Sequence, residues 1–349
     1  MTEISPDRPR GKHCKPESAR KVLSVAVPSY NVERYLADSL ASYCAGDIDD
    51  RLEVIIVDDG STDLTPYIAR EFVKLYPDIF RIVSKKNGGH GSAINAGIEH
   101  ARGTYFRVID GDDRICTATL PTLLNALENA DEDLVLDLKR EVNMETGASR
   151  LLELPQDLPT YRTLPFDNVC TRPDIEEFFM IHSTNVRTDL LLEHGISLLE
   201  HTFYVDYEFI VKLASYAETV RFVNVEACNY YVGNAEQSVA PANYVKRWGD
   251  HTRVTEELLR FVEETPLDPK KEEFVRSRVQ LLINTHYNIA LIYDTNRSRG
   301  RERARQFRAF LAENYPDFHA ASEFRYRQAQ ALHFAGVDAR KLDKIMGRG

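Results

Sequence analysis

Cysteine is scarce. The 349 residues include Cys14, Cys44, Cys116, Cys170 and Cys228, with no C-x-x-C spacing. An odd, dispersed set argues against a disulfide framework and against a zinc site, and fits reduced thiols in a cytosolic protein. Long hydrophobic runs are missing too. No stretch approaches the roughly 20 apolar residues that a spanning helix needs. The opening "MTEISPDRPRGKHCKPESARK" has no apolar signal core, so residues 1–20 are expected to be a flexible, solvated tail. Positive charge does not dominate: 44 Lys and Arg face 54 Asp and Glu, a net charge of -10, which argues against wholesale nucleic-acid binding. Neither a Walker A loop nor a G-x-G-x-x-G fingerprint occurs, so no motif for ATP or NAD is present.

What is present is ordinary globular material, 43% hydrophobic and 28% charged, enough for one large or two smaller domains. Apolar runs at 22–28, 52–58, 80–84 and 105–110 read as strands. Amphipathic patterns near 32–45, 62–76, 91–101 and 117–129 read as the helices between them. Continuous Val/Ile runs joined by crossover helices predict a mostly parallel sheet covered on both faces. Right-handed crossovers put every strand's C-terminal end on one edge, where such sheets bind ligands. Pro28 to Asn31, Asp58-Asp59, Ser84 to Gly89 and Asp110 to Asp113 should therefore share one crevice. Beyond about 145 the alternation weakens. Residues 219–232 read as a strand of a mixed or separate small sheet, and from about 243 the pattern is helical.

Three stretches carry chemistry. In "VDDGSTD" (57–63) Asp58 and Asp59 end a strand before a glycine turn, where a carboxylate can accept from a nucleobase imide or a ribose hydroxyl. In "KKNGGHGSAINAGI" (85–98) Gly88, Gly89 and Gly91 let backbone N–H groups approach an anion, with Lys85 and Lys86 nearby. His90 is expected to be a loop residue or a diphosphate contact. In "YFRVIDGDDRI" (105–115) three carboxylates fall within four positions. Two of them about 4 Å apart repel by roughly 4 kcal/mol at an effective dielectric near 20. A hard cation, Mg²⁺ or Mn²⁺, bridging such oxygens would offset that repulsion.

In combination these residues resemble the family 2 glycosyltransferases, which have the GT-A fold. "VAVPSYNVERYLADSLASY" (25–43), "EVIIVDDGSTDLT" (53–65), "NGGHGSAINAGIEHARGTYF" (87–106) and the D-x-D of "DGDD" follow that family's order. The resemblance implies a nucleotide-diphospho-sugar donor and transfer with inversion at the anomeric carbon. By position it implies a donor site of Pro28, Tyr30, Asn31, Asp58, Asp59, Asn87, Gly88 and Asp110, with Asp112 and Asp113 at the metal. "EHTFYVDYEFIVKL" (200–213) resembles the family's base segment, which makes Asp206 the expected catalytic base, with Glu208 and His201 as competitors. Val205, Ile94 and Val232 stand where the family often has an acid and two arginines. No Q-x-x-R-W segment occurs, unlike processive, membrane-embedded polymer synthases.

The expectation is thus a GT-A domain over 21–240 and a helical C-terminal region over 241–349. It would be a Mn- or Mg-dependent transferase acting on an unknown hydroxyl acceptor, glycan or lipid-linked. The double acid with Tyr30 upstream favours a uridine donor over a guanosine one. Two other classes compete: a non-catalytic sugar-nucleotide-binding scaffold and a Mg-dependent aspartyl phosphotransferase. "RSRGRERARQFR" (297–308) reads as a solvated helix face or loop, or as a contact for an anionic lipid or acceptor. That second reading would place a cytoplasmic protein peripherally at the inner face of a membrane.

Overall fold

The computed structural model describes residues 21–345 apart from 47, 49 and 234–239, and apart from the side chains of 343–345. The expected tail at 1–20 and most of "GNAEQSV" lie outside the described residues. No disulfide occurs among the described residues.

The first half alternates as its sequence pattern requires. Strands β1 (Leu23–Ser29), β2 (Leu52–Asp58), β3 (Phe80–Ser84) and β4 (Tyr105–Val108) are linked by helices α1 (Glu33–Ala41), α2 (Thr65–Leu75) and α3 (His90–His100). All four strands are mutually parallel, in the order β3-β2-β1-β4. Every residue of β1 and β2 is buried, which is why both read as unbroken apolar runs rather than alternating ones. The expected strand at 105–110 stops at Val108. There the chain turns, with Asp113 N donating to Asp110 O at 2.9 Å.

The sheet then becomes mixed. After β5 (Arg114–Ile115) and α4 (Leu120–Glu128) come β6 (Leu134–Asn143), β7 (Ser149–Leu151), β8 (Leu164–Pro165) and β9 (Thr184–Arg187). Helices α5 (Thr188–Glu193) and α6 (Val205–Tyr216) lead to β10 (Thr219–Val232). β9 is antiparallel to both β4 and β6, and β10 runs parallel to β6, so the order continues β4-β9-β6-β10-β5. The strand expected at 219–232 therefore joins the main sheet. Strands β6 and β9 were not expected from the sequence.

Side-chain alternation sends successive residues of a strand to opposite faces. Val25, Val27, Val54 and Ile56 meet α1, α2 and α4 through Leu36, Leu40, Ala69 and Leu124. Ala26, Ile55 and Val57 face the other way, toward Ile94 of α3 and Phe209 of α6. That second core continues into α7 (Pro241–Lys246), α8 (Trp248–Glu264), α9 (Pro269–Asn288) with its π-helical end Ile289–Tyr293, α10 (Arg297–Asn314), α11 (Pro316–Phe334) and α12 (Ala339–Ile345). Prolines at the start of α7, α9 and α11 suit the first helical turn, where no backbone N–H is needed. Phe274 of α9 packs edge-on against Phe179 at 5.1 Å and Phe166 at 5.8 Å. Burying one such ring stabilises by about 1.5–3 kcal/mol. The helical region thus shares an apolar core with the strand-containing half. No helix among the described residues is long and apolar enough to cross a membrane.

Candidate active site

The parallel strands deliver the acidic segments to one edge. Asp59 N donates to Ser29 O, Lys85 N to Asp58 O and Gly111 N to Pro28 O, stitching the ends of β1, β2, β3 and β4 together. Tyr30 stands 51% exposed there. Asn31 adopts φ 54° and its Oδ1 accepts from Thr62 N at 2.9 Å, while Asp58 Oδ1 accepts from Ser61 N at 3.0 Å. Pro28, Tyr30, Asn31 and Asp58 therefore do come together at the C-terminal edge of the sheet, Tyr30 exposed and Asp58 buried.

Asp59 has a different neighbourhood from the one expected. Its carboxylate accepts from Gly88 N at 2.9 Å and Gly89 N at 2.7 Å, and pairs with Lys85 Nζ at 2.9 Å. Asn87 Nδ2 donates to the Asp59 carbonyl at 3.0 Å. Asp59 and Gly88 were both expected to face a ligand; in the structure they face each other. The anion bound by the glycine amides is the protein's own. Gly89, at φ +84°, is the residue that turns the chain into α3, and Leu199 O lies 2.2 Å from where a Cβ on Gly91 would sit. The strand-edge loop containing Leu199 consequently lies directly on the start of α3. His201 N donates to Gly88 O at 2.5 Å and closes that contact.

The acid cluster is not uniform. Asp113 is buried, with its Oδ1 accepting from Tyr231 N at 2.9 Å. Burial first, then Asp112 and Asp110, pushes its pKa well above the carboxylate range. Burial and Asp110 raise Asp112 to about 6. Burial acts in the same sense on Asp110, but His90 outweighs it and holds that carboxyl low. His90 Nε2 lies 2.8 Å from Asp110 Oδ1, and although burial opposes its charge, Asp110 raises its pKa to about 9. Part of the repulsion anticipated for three clustered acids is thus offset by an internal cation.

A residue that sequence reasoning missed completes the cluster. His182, in the 3-10 turn Ile181–Ser183 before β9, places Nε2 3.5 Å from Asp113 Oδ2 and 3.9 Å from Asp110 Oδ2. One ligand atom each of Asp110, Asp113 and His182 lie within 4.8 Å of one another. Both ring nitrogens of His182 are buried and without a hydrogen-bond partner. Burial lowers its pKa to about 4, so the ring is neutral, as metal ligation requires. These three residues could hold a divalent cation. An imidazole with two carboxylates suits Mn²⁺ better than Mg²⁺, which favours all-oxygen sites. Asp112, expected as a ligand beside Asp113, is not among the three; Asp110, expected against the donor, is. A lone histidine far from the D-x-D gives no signal in the sequence that could have found it.

Asp206 is the second residue of α6. The N-cap position belongs to Tyr204, at φ 70°, and no side-chain cap bond forms there, so Asp206 does not cap its helix. Its side chain is 45% exposed, and its Oδ1 lies 3.5 Å from His90 Nδ1. Burial raises its pKa and His90 opposes that shift. The competitors are placed otherwise. Glu208 is fully buried, pairs with Lys212 Nζ at 2.6 Å and accepts from Leu199 N at 3.0 Å. His201 is held by its backbone to Gly88 and Arg253. The edge of the sheet thus unites an acid-imidazole cluster with the partly exposed Asp206 carboxylate, 3.5 Å from His90.

The family model described as "Glycosyl transferase family 2" matches residues 24–188, which include β1 but for its first residue, β2 to β4, the acid cluster and His182. Residues 24–188 therefore form a glycosyl transferase family 2 domain. The uncharacterized glycosyltransferase EpsJ of Bacillus subtilis is 34% identical over 143 residues, 39% of this chain and 41% of EpsJ. The uncharacterized glycosyltransferase YibD of Escherichia coli is 28% identical over 255 residues, 68% of this chain and 71% of YibD. The match to the minor teichoic acid biosynthesis protein GgaB of Bacillus subtilis, 33% identical, covers 32% of this chain and only 13% of GgaB. The chain therefore spans under half the length of EpsJ and of GgaB. Among solved structures, residues 1–349 of S. aureus TarS, crystallised with UDP-GlcNAc, superpose with a TM-score of 0.62 at 19% identity, covering 90% of this chain and 92% of that one. The mannosyltransferase PcManGT of Pyrobaculum calidifontis, in complex with GDP-Man and Mn²⁺, gives 0.53 at 18% identity, covering 93% and 88%. These superpositions establish the GT-A fold for the family member described here, including its helical C-terminal region.

The arginine-rich stretch lies on α10. Arg299 and Arg303 pair with the buried Asp294 at 2.7 and 3.2 Å, Arg305 with Glu302 at 2.7 Å, and Arg308 with Glu323 at 2.5 Å. Four of the six arginines are therefore paired within the chain, Arg299 and Arg305 while remaining exposed at the surface.

Proposed function

We propose that the protein is a metal-dependent inverting glycosyltransferase that moves a sugar from a nucleotide-diphospho-sugar, of the UDP type, to a hydroxyl acceptor. The observation that carries this reading is the accessible Asp206 carboxylate beside the Asp110, Asp113 and His182 cluster, joined to it through His90. Asp110, Asp113 and His182 would hold a divalent cation, with Asp112 adjoining. That cation, when bound, neutralises diphosphate charge and stabilises the leaving group. Asp206 accepts the proton of the acceptor hydroxyl as its oxygen attacks the anomeric carbon. The new C–O bond forms on the face opposite the departing diphosphate. Such base assistance contributes about 10²–10⁴-fold.

Tyr30, Pro28, Asn31 and Asp58 line the nucleoside side of the crevice. Asp58 can accept from the uracil N3–H while the base lies against the exposed Tyr30 ring. The UDP and UDP-GlcNAc bound by the similarly folded TarS support a uridine donor. The GgaB name supports an acceptor among cell-surface polymers. Asp59, Asn87 and Gly88 act on the donor by holding the glycine turn in place. The test is a screen of UDP- and GDP-sugars with Mn²⁺, read as thermal shift and as released nucleoside diphosphate. A ligand at a hundredfold excess over its dissociation constant stabilises by about 2.7 kcal/mol. Binding without any released diphosphate across glycan and lipid-linked acceptors would favour a scaffold. Tighter binding of GDP than of UDP would overturn the uridine assignment.

A further inference from the structure

We infer that His90 is a positioning residue for the transfer reaction: its imidazole bridges Asp206 and Asp110 and fixes the base relative to the diphosphate-side acid. This inference rests on the assignment of Asp206 as the base.

The geometry is specific. His90 opens α3, and both of its ring nitrogens face carboxylates from other elements: Nε2 to Asp110 Oδ1 at 2.8 Å and Nδ1 to Asp206 Oδ1 at 3.5 Å. Asp206 Oδ1 is buried and has no hydrogen-bond partner among the described residues, so the rest of that carboxylate is what remains open to an acceptor. A contact of 3.5 Å is long for a hydrogen bond, but catalytic bonds commonly tighten only once substrate is bound. The ring itself has little freedom. A Cβ on Gly89 would sit 3.2 Å from His201 Cα, and one on Gly91 only 2.2 Å from Leu199 O. The backbone on either side of His90 is therefore pressed against the loop that leads into α6. Two left-handed non-glycine residues, His201 at φ 50° and Tyr204 at φ 70°, bend that loop between Glu200 and Asp206. Such conformations persist only where surrounding contacts hold them, and they concentrate at functional sites. His90 is not part of the Asp110, Asp113 and His182 set, so its place is between the cluster and the base rather than in the cluster.

Two substitutions separate its two bonds. The amide of asparagine lies near the place of Nδ1, and that of glutamine near Nε2. His90→Asn retains a donor toward Asp206, and His90→Gln retains one toward Asp110. Misplacing a catalytic group by about 1 Å can cost on the order of a hundredfold. In steady-state transfer with a UDP-sugar and Mn²⁺, His90→Gln is expected to lower kcat by about tenfold or more while UDP affinity changes by less than about twofold. His90→Asn is expected to recover part of that loss. In an Asp206→Asn background, His90→Gln is expected to add less than about twofold, because a positioning residue has nothing left to position. If His90→Gln does not fold, His90→Ala, which removes both donors, carries the same cycle with Asp206→Asn. An impaired Asp206→Asn enzyme in which the His90 loss adds in full overturns this inference alone, as does a loss of UDP affinity equal to the loss in kcat. Near-normal turnover of Asp206→Asn removes the base and this inference with it.

Discussion

His182 turns Nε2 to within 3.5 Å of Asp113 Oδ2, from a turn that lies far along the chain from the D-x-D. The antiparallel insertion of β9 between β4 and β6 creates this neighbourhood. Arg107 of β4, buried and paired with Asp137 of β6, also donates to the His182 carbonyl and to Asn185. A buried ion pair in the sheet thereby fixes the backbone that presents the imidazole. Breaking such a pair by removing one partner typically costs 3–5 kcal/mol, so the cluster's geometry is tied to the fold's stability.

His182→Gln should weaken Mn²⁺ binding without unfolding the protein. The ring makes no hydrogen bond that the fold depends on. Loss of a ligand should raise the Mn²⁺ concentration for half-maximal donor binding by about tenfold or more, the scale on which even outer partners of a metal act. Calorimetric Mn²⁺ titration in the presence of UDP measures it. An unchanged titration would exclude the imidazole from the metal site.

Asp59→Ala should act on stability before it acts on catalysis. Three donors converge on a side chain that is 3% exposed. A hydrogen bond to a charged group contributes about 1.5–3 kcal/mol, and its buried donors lose their partner together. The expected loss is about 2–4 kcal/mol in urea unfolding, with Asp59→Asn intermediate. If stability is unaffected and only UDP affinity falls, Asp59 is a ligand contact and does not anchor the glycine turn.

His251 and His286 should make the protein acid-sensitive. They are fully buried in α8 and α9, their Nδ1 atoms 2.9 Å apart, with Trp248 stacked on His286 at 3.8 Å. Burial lowers His251 to about 3, and burial together with His251 holds His286 well below its ordinary value. Unfolded histidine titrates near 6.5. Below that pH the unfolded chain binds protons that the folded pair refuses, so stability is complete above about 6.5 and falls as pH drops toward 3. Each group contributes up to about 1.4 kcal/mol per pH unit across the window. Urea unfolding from pH 6.5 to 4.5 should show a slope that becomes shallower in the double variant His251→Gln, His286→Gln. An identical slope would show that other groups set the acid limit.

Where the sequence was legible, simple physics explains it. The fully buried β2 appears as an unbroken apolar run, and β3 and β10, although only partly buried, keep enough β-branched and aromatic residues to be readable to the residue too; the crevice follows from topology. β6 and β9 were hidden because they carry the buried polar residues Asp137, Lys139 and Asn185, of which Asp137 and Asn185 bond each other and Arg107 in a network that exists only in three dimensions. Glycine spacing revealed an anion-binding turn but not that the anion is Asp59. The acidic cluster was visible, and His90 was read only as a loop residue or diphosphate contact, whereas it opens α3 and lies against Asp110; His182 had no local pattern at all.

Asp206→Asn should separate chemistry from folding. Asp206 sits beside the helix start rather than on its cap, so the isosteric amide removes no capping bond. Its buried oxygen has no hydrogen-bond partner, and its remaining surface faces the crevice. An amide cannot take the acceptor's proton. The expected result is a kcat lowered by about 10²-fold or more, with UDP affinity and the unfolding midpoint nearly unchanged. Glu208→Gln supplies the contrast two residues along. That carboxylate is buried, paired with Lys212 at 2.6 Å and bonded to Leu199 N. Neutralising it removes the close ionic partner of Lys212, leaving Ser197 O at 2.8 Å and Glu257 at 3.4 Å, so stability should fall while the kcat of the remaining folded enzyme stays near normal. The two variants measured side by side, by single-turnover transfer and by urea unfolding, should show opposite signatures. If Glu208→Gln loses turnover while Asp206→Asn keeps it, the base has been assigned to the wrong carboxylate.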